Sequence, residues 1–132
     1  MIWLIAGSRD YCLTKEGYQA LDDLICKYGK PDLVITGAAT GIDTSGLEWA
    51  RKLGIKWKDF PASWYINGKL DRSQGPKRNQ KMSTYLKENG GGKVILFLGG
   101  RGTDSMRKIA IADHGKDNVI ELTNEEYVYE IK

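Results

Sequence analysis

Residues 94–103 read Val-Ile-Leu-Phe-Leu-Gly-Gly-Arg-Gly-Thr, and this stretch decides the fold. Val94 to Leu98 is the most apolar run in the chain, as a strand buried on both faces requires, so it belongs in the middle of a sheet. Gly99, Gly100 and Gly102 then turn the chain, and a helix runs on to about His114. Strand, glycine turn and helix form the repeating unit of a parallel sheet.

Working outward, the same unit recurs. Ile2 to Ala6 is a short apolar run that stops at Gly7. Thr14 caps a helix to about Tyr28, with Tyr18, Leu21, Leu24, Ile25 and Tyr28 on one face and Gly29 as its stop. Leu33 to Thr36 is the second strand, followed by the turn Gly37-Ala38-Ala39-Thr40-Gly41-Ile42-Asp43. A helix then reaches about Leu53, with Gly54 at C′. Ile55 to Phe60 alternates, as a strand nearer the sheet edge does. Pro61 to Gln74 reads as a polar stretch. Gly75-Pro76 opens a third helix with Pro76 at N1, and Gly90 to Gly92 closes it. Val119 to Leu122 is a fifth strand. The acidic and aromatic tail, Asn124 to Lys132, takes no assignment.

This pattern predicts an α/β, Rossmann-like three-layer sandwich. Its central, mostly parallel five-stranded sheet has the order 3-2-1-4-5, with helices on both faces and right-handed crossovers. Ligands on such sheets bind beyond the carboxyl ends of the strands at the switch point, here between the first and fourth strands. With 132 residues, one domain over 1–132 is expected, and a chain of this size builds its core without disulfides or metal.

Composition narrows the function classes. The formal net charge of +3 suits an anionic ligand but falls short of the dense positive stripe of a duplex-DNA binder. Cys12 and Cys26 form no CxxC pair, and His114 is the sole histidine, so a zinc site is excluded and no cofactor is expected. His114, in the last turn of a helix, is favoured there by the helix dipole. No window approaches the ~20 apolar residues of a membrane span. The N-terminus reads as a strand rather than a signal peptide, so a cytoplasmic protein with reduced thiols is expected.

Three glycine-bearing turns carry the chemistry: Gly7-Ser8-Arg9-Asp10, Gly37 to Asp43, and Gly99-Gly100-Arg101-Gly102-Thr103. Glycine lets backbone amides approach an anion, and the following helix N-terminus adds unpaired N–H groups and partial positive charge. Ser8 and Thr103 add hydroxyls, and Arg9 and Arg101 add guanidinium forks that match phosphate. A hydrogen bond to a charged group contributes about 1.5–3 kcal/mol, against an association cost of roughly 4–15 kcal/mol. Useful affinity therefore needs a further anchor, and Trp64 or Tyr65 supplies base stacking of about 1–3 kcal/mol. Blander roles stand beside these. Gly41 permits close helix packing, Asp43 is a helix N-cap or a ribose-hydroxyl acceptor, and Trp64 packs over the sheet edge or stacks on a ligand.

Taken together, Gly7-Ser8-Arg9-Asp10, Gly37 to Asp43 with Glu48-Trp49-Ala50, Gly75-Pro76-Lys77-Arg78-Asn79-Gln80-Lys81-Met82 and Gly99 to Thr103, with Pro61-Ala62 and Trp64, resemble stand-alone SLOG-superfamily proteins of the YspA-type (YpsA-related) group. The match spans about residues 1–122. The resemblance implies a nucleotide-derived ligand, a homodimer, and a role at the ligand for Arg78 and Asn79. It departs from the group where Ala38 and Thr40 replace a glycine and an arginine. It departs from the related Lonely-guy enzymes, which cleave the N-glycosidic bond of nucleoside monophosphates, where Leu98 replaces a proline and Met106 replaces the catalytic glutamate. A thioether is neither acid nor base.

Three functions are therefore expected to compete. The first is non-catalytic binding of a nucleotide or ADP-ribose-like molecule, as a sensor or sequestering protein. The second is an N-glycosidase or phosphoribohydrolase with another carboxylate, first Asp43, then Asp10, Glu48 or Asp104. The third, by analogy with DNA-processing protein A, is single-stranded nucleic-acid binding through Lys69, Arg72, Lys77, Arg78 and Lys81 beside Trp64 and Tyr65.

Overall fold

The computed structural model describes residues 1–37 and 39–131; Ala38 of the second glycine turn and Lys132 lie outside the described residues. The elements run β1 (Ile2–Ala6), β2 (Tyr11–Leu13), α1 (Lys15–Tyr28), β3 (Leu33–Thr36), α2 (Ile42–Lys52), β4 (Lys56–Asp59), β5 (Tyr65–Ile66), β6 (Lys69–Leu70), α3 (Gln74–Glu88), β7 (Gly92–Phe97), α4 (Arg101–His114), β8 (Val119–Leu122) and β9 (Val128–Glu130). The main sheet has five strands in the order β4-β3-β1-β7-β8, and every pairing in it is parallel. This is the 3-2-1-4-5 order of a Rossmann-like three-layer α/β sandwich, as the strand pattern predicted.

Side-chain alternation along β1 builds both layers of core. Trp3 and Ile5 point to the side of α1 and α2, where they pack with Leu21, Ile42, Trp49 and Ala50. Ile2, Leu4 and Ala6 point to the opposite side and meet Met82, Leu86, Met106 and Ala110 of α3 and α4. Trp3 stacks on Trp49 with ring centroids 5.9 Å apart and planes 4° from parallel. β7 is buried from Val94 to Phe97 between β1 and β8, whereas edge strand β4 is exposed throughout. Helix boundaries follow local chemistry. Thr14 caps α1, accepting the Gly17 amide at 3.1 Å. Gly54, with φ 71°, follows the end of α2.

Three details depart from the sequence reading. First, the stretch from Pro61 to Gln74 contains a hairpin, with β5 antiparallel to β6. Its turn is Asn67-Gly68, both with positive φ (53° and 77°), the geometry of a primed two-residue turn. Second, α3 begins at Gln74, so Pro76 is the third helical residue rather than the first. Proline is tolerated there because first-turn amides have no intrahelical partner. Asp71 organises this start: its carboxylate accepts the Ser73 hydroxyl at 2.6 Å and the Gln74 side-chain amide at 2.9 Å. These bonds hold the Asp71 pKa down to about 2. Third, the tail is structured, with β9 pairing antiparallel to β2.

Candidate functional site

Because β1, β3 and β7 are parallel neighbours, the three glycine turns that follow them emerge at one edge of the sheet. Backbone bonds tie the turns together. The Ser8 amide donates to the Leu98 carbonyl at 3.0 Å, and the Ile42 amide donates to the Ser8 carbonyl at 3.1 Å. Gly7 lies against Ile42, where an added Cβ would come within 2.8 Å of its side chain. Gly41, with φ 76°, is seated against the Ser8, Arg9 and Tyr11 carbonyls, each 2.6 Å from an ideal Cβ. Its packing role follows directly: α2 starts hard against the first loop, and only glycine fits.

The second loop is closed by groups of the chain itself. Gly41, not Asp43, is the N-cap residue of α2; Asp43 sits in the first turn and reaches back. Its carboxylate, 5% exposed, accepts the Ala39 amide at 3.2 Å and the Gly37 amide. Arg78, near the start of α3, donates from Nη1 to the Gly37 carbonyl and, at 3.4 Å, to the Phe60 carbonyl. Its Nε donates to Asn79 Oδ1 at 3.0 Å, and Asn79 Nδ2 donates to the Gly102 carbonyl at 3.2 Å. Burial pushes the Asp43 pKa up to about 6; the Ala39 amide, the Arg78 charge and the Gly37 amide oppose this only in part.

The third loop is open. α4 begins after Gly100 with no side-chain cap. Gly100, Arg101 and Gly102 are exposed, and Thr103 is half-buried. Gly99 packs tightly, since an ideal Cβ would lie 2.6 Å from Thr103 Cβ and 3.1 Å from the Ser8 amide nitrogen. Gly100 and Gly102 have open space where a Cβ would stand. Arg9 is exposed on the neighbouring first loop, while Ser8 Oγ accepts the Asp10 amide at 3.0 Å.

The remaining residues singled out in the sequence divide by environment. Trp64 is 40% exposed and its ring edge rests on Gly75, at the start of α3. Tyr65 lies on the hairpin, away from packing, at 68% exposure. Lys69, Arg72, Lys77 and Lys81 are exposed, but Arg78 has turned inward, so the basic segment is split. Met106 of α4 is buried in the core with Met82 and Leu86 of α3. Cys12 and Cys26 are free thiols. Among the described residues no three or more His, Cys, Asp or Glu gather to hold a metal.

One cluster was not legible in the sequence. Ser83 Oγ, fully buried, donates to Asp113 Oδ2 at 2.7 Å and lies 2.9 Å from His114 Nε2. Gln80 also donates to Asp113 at 2.9 Å. The residue types are those of a hydrolytic triad, but the serine hydroxyl bonds the aspartate directly and has no access to solvent. The cluster braces α3 against α4, and burial lowers the His114 pKa. Of two surface concavities, one of about 810 Å³ between α1 and α2 includes no residue of the glycine turns, and one of about 490 Å³ along α4 reaches the third turn at Arg101. The second is lined by Arg101, Ser105 and Lys108. No helix among the described residues is long and apolar enough to cross a membrane. Compared with known proteins, the chain matches no family model and no curated protein sequence.

Proposed function

We propose that the chain binds a nucleotide or a nucleotide-derived, ADP-ribose-like anion at the carboxyl ends of its parallel strands, as a non-catalytic sensor or sequestering protein. The observation that carries this reading is the state of the third loop. An uncapped helix N-terminus, three exposed glycines and Arg101 share the sheet's switch point with the loop that carries Arg9, where α/β sheets take their ligands. The phosphate lies on Gly99, Gly100, Arg101, Gly102 and Thr103, with Gly7, Ser8 and Arg9 alongside. Trp64 is the stacking candidate for the base. Gly37, Gly41, Asp43, Arg78 and Asn79 shape the rim behind it. The chain's length and composition support a single cytoplasmic domain, and the SLOG resemblance adds a homodimer. The burial of Met106 supports the absence of Lonely-guy chemistry.

Titration calorimetry against AMP, ADP and ADP-ribose tests the reading. Saturable heat that Arg101→Ala weakens about tenfold, the loss of one charge-assisted contact, supports it. No heat from any of the three ends it. Native mass spectrometry that returns only monomer removes the dimer.

A second reading rests on Asp43. A buried carboxyl with a pKa near 6, at the strand ends, has the tuning of a general acid, which is the N-glycosidase alternative. Release of free base from AMP, abolished in Asp43→Asn, would establish it; intact AMP after long incubation excludes it.

A further inference from the structure

The chain from Gly7 to Leu13 is one length of backbone anchored at both ends. At its start, Ser8 is bonded to Leu98 and to Ile42 at the rim. At its end, β2 pairs with β9 in the register Tyr11 to Glu130, Cys12 to Tyr129 and Leu13 to Val128. The Ile131 amide donates to the Asp10 carbonyl at 2.8 Å, and the Thr14 amide donates to the Tyr127 carbonyl at 2.9 Å. Between the two anchors the segment runs close to Gly41, where a Cβ would meet the Ser8, Arg9 and Tyr11 carbonyls, and it is tied to the second loop and α2 by the Thr40 hydroxyl, which donates to the Arg9 carbonyl at 3.3 Å, and by the Leu13 amide, which donates to Ser45 Oγ at 3.2 Å. Any change that repositions Ser8 and Arg9 therefore acts on Asp10 and Tyr11, and through them on residues 124–131.

β9 is built to respond. It lies outside the main sheet and pairs only with β2. Val128 is its one buried residue, while Tyr129, Glu130 and Ile131 are exposed. The ribbon has three residue pairs and is held to the core by Leu13 and Val128, while its far end, Tyr129 to Ile131, is exposed, and segments with few buried apolar contacts lie at the low-stability end of a fold.

We propose that the β2–β9 ribbon is the output element of the rim: an anion that orders the Gly7–Asp10 loop locks residues 124–131 in place, and release of those residues loosens the loop. This rests on the ligand reading above, and it supplies the binder with a means of reporting occupancy. Linkage makes the coupling reciprocal, so whatever peels β9 away lowers ligand affinity by the same factor that ligand raises β9 pairing.

Hydrogen exchange on the full chain tests this without knowledge of the natural ligand. Ile131→Pro deletes the single amide that bonds Asp10 and lies at an exposed position. In the free protein it should speed exchange of the rim residues 7–10 about fivefold and leave Ile2–Ala6 and Leu33–Thr36 unchanged. Truncation after Thr123 should give the same pattern more strongly. Unchanged exchange of residues 7–10 in both variants, even with residues 11–14 exchanging faster, overturns the proposal. With ADP-ribose as probe, both 7–14 and 124–131 should slow, and Ile131→Pro should bind it more weakly. Protection of 7–14 alone overturns the output role and leaves ligand binding standing. Protection of neither segment removes the ligand reading and the output role with it.

Discussion

The turn from Gly37 to Gly41 and the turn from Gly99 to Thr103 begin with the same signal, glycine between a strand and a helix, and end in opposite states. In the first, the amides of Gly37 and Ala39 bond an internal carboxylate, Asp43, with the Arg78 guanidinium on the Gly37 carbonyl. In the second, the helix start is exposed and uncapped. Free amides at a strand-to-helix turn take whichever acceptor is nearest, and in the second loop that acceptor is the Asp43 carboxyl, even though its burial disfavours the charged form. A glycine turn therefore indicates amides in need of an acceptor, and the neighbouring side chains decide whether the chain itself supplies one.

The largest test of this contrast is glycine replacement. Gly41→Ala places a Cβ 2.6 Å from three carbonyls at φ 76°, and should cost about 3 kcal/mol or more in chemical denaturation. A wild-type-like midpoint would show that the first and second loops are not locked together. Next comes pH. The Asp43 pKa is raised from 3.8 to about 6, so the folded chain favours the neutral acid. That stability is fully present below pH 3.8 and is lost as pH rises through about 6, roughly 3 kcal/mol in all. Denaturation midpoints across this window should lose that slope in Asp43→Asn. A slope that persists places the titration elsewhere.

Arg78→Ala leaves the Gly37 carbonyl and the Asp43 carboxylate without their cation, and should cost about 2 kcal/mol. Because the Asp43 pKa would then rise further, the loss should be greatest above pH 6; a pH-independent loss would mean that Arg78 acts through packing alone. The smallest effect is expected at the open loop. Gly102→Ala meets nothing within 4 Å and sits in the first turn of α4. It should stabilise by about 0.5–1 kcal/mol, from helix propensity. Destabilisation there would show that the third loop is packed rather than open.

Legibility varied with the range of the interaction that decides each feature. The apolar runs at β1, β3 and β7 were readable because burial on both faces leaves few polar positions, Thr36 and Lys93 at strand ends. The α1 cap at Thr14 and the stops at Gly29 and Gly54 were readable because their partners lie within a few residues. The hairpin was not read: Ile66-Asn67-Gly68-Lys69 carries a turn signal, but its two-residue strands are too short for a period to show and the surrounding polar composition masked it. β9 was different. Its partner lies at Tyr11–Leu13, across the whole chain, and three residues hold too little periodicity to announce a strand.

The sequence by itself determined the order of strands and helices, the glycine turns, and hence a parallel sheet whose turns share one edge, because these depend on local propensity and on the period of apolar residues. Only the tertiary structure decided that Arg78 turns inward, that Asp43 answers the amides of its own loop, that Met106 is core, and that residues 128–130 pair with β2. Each of those depends on which groups meet after the chain closes, and on the burial that sets the strength of a charge or a hydrogen bond, quantities that spacing along the chain does not contain.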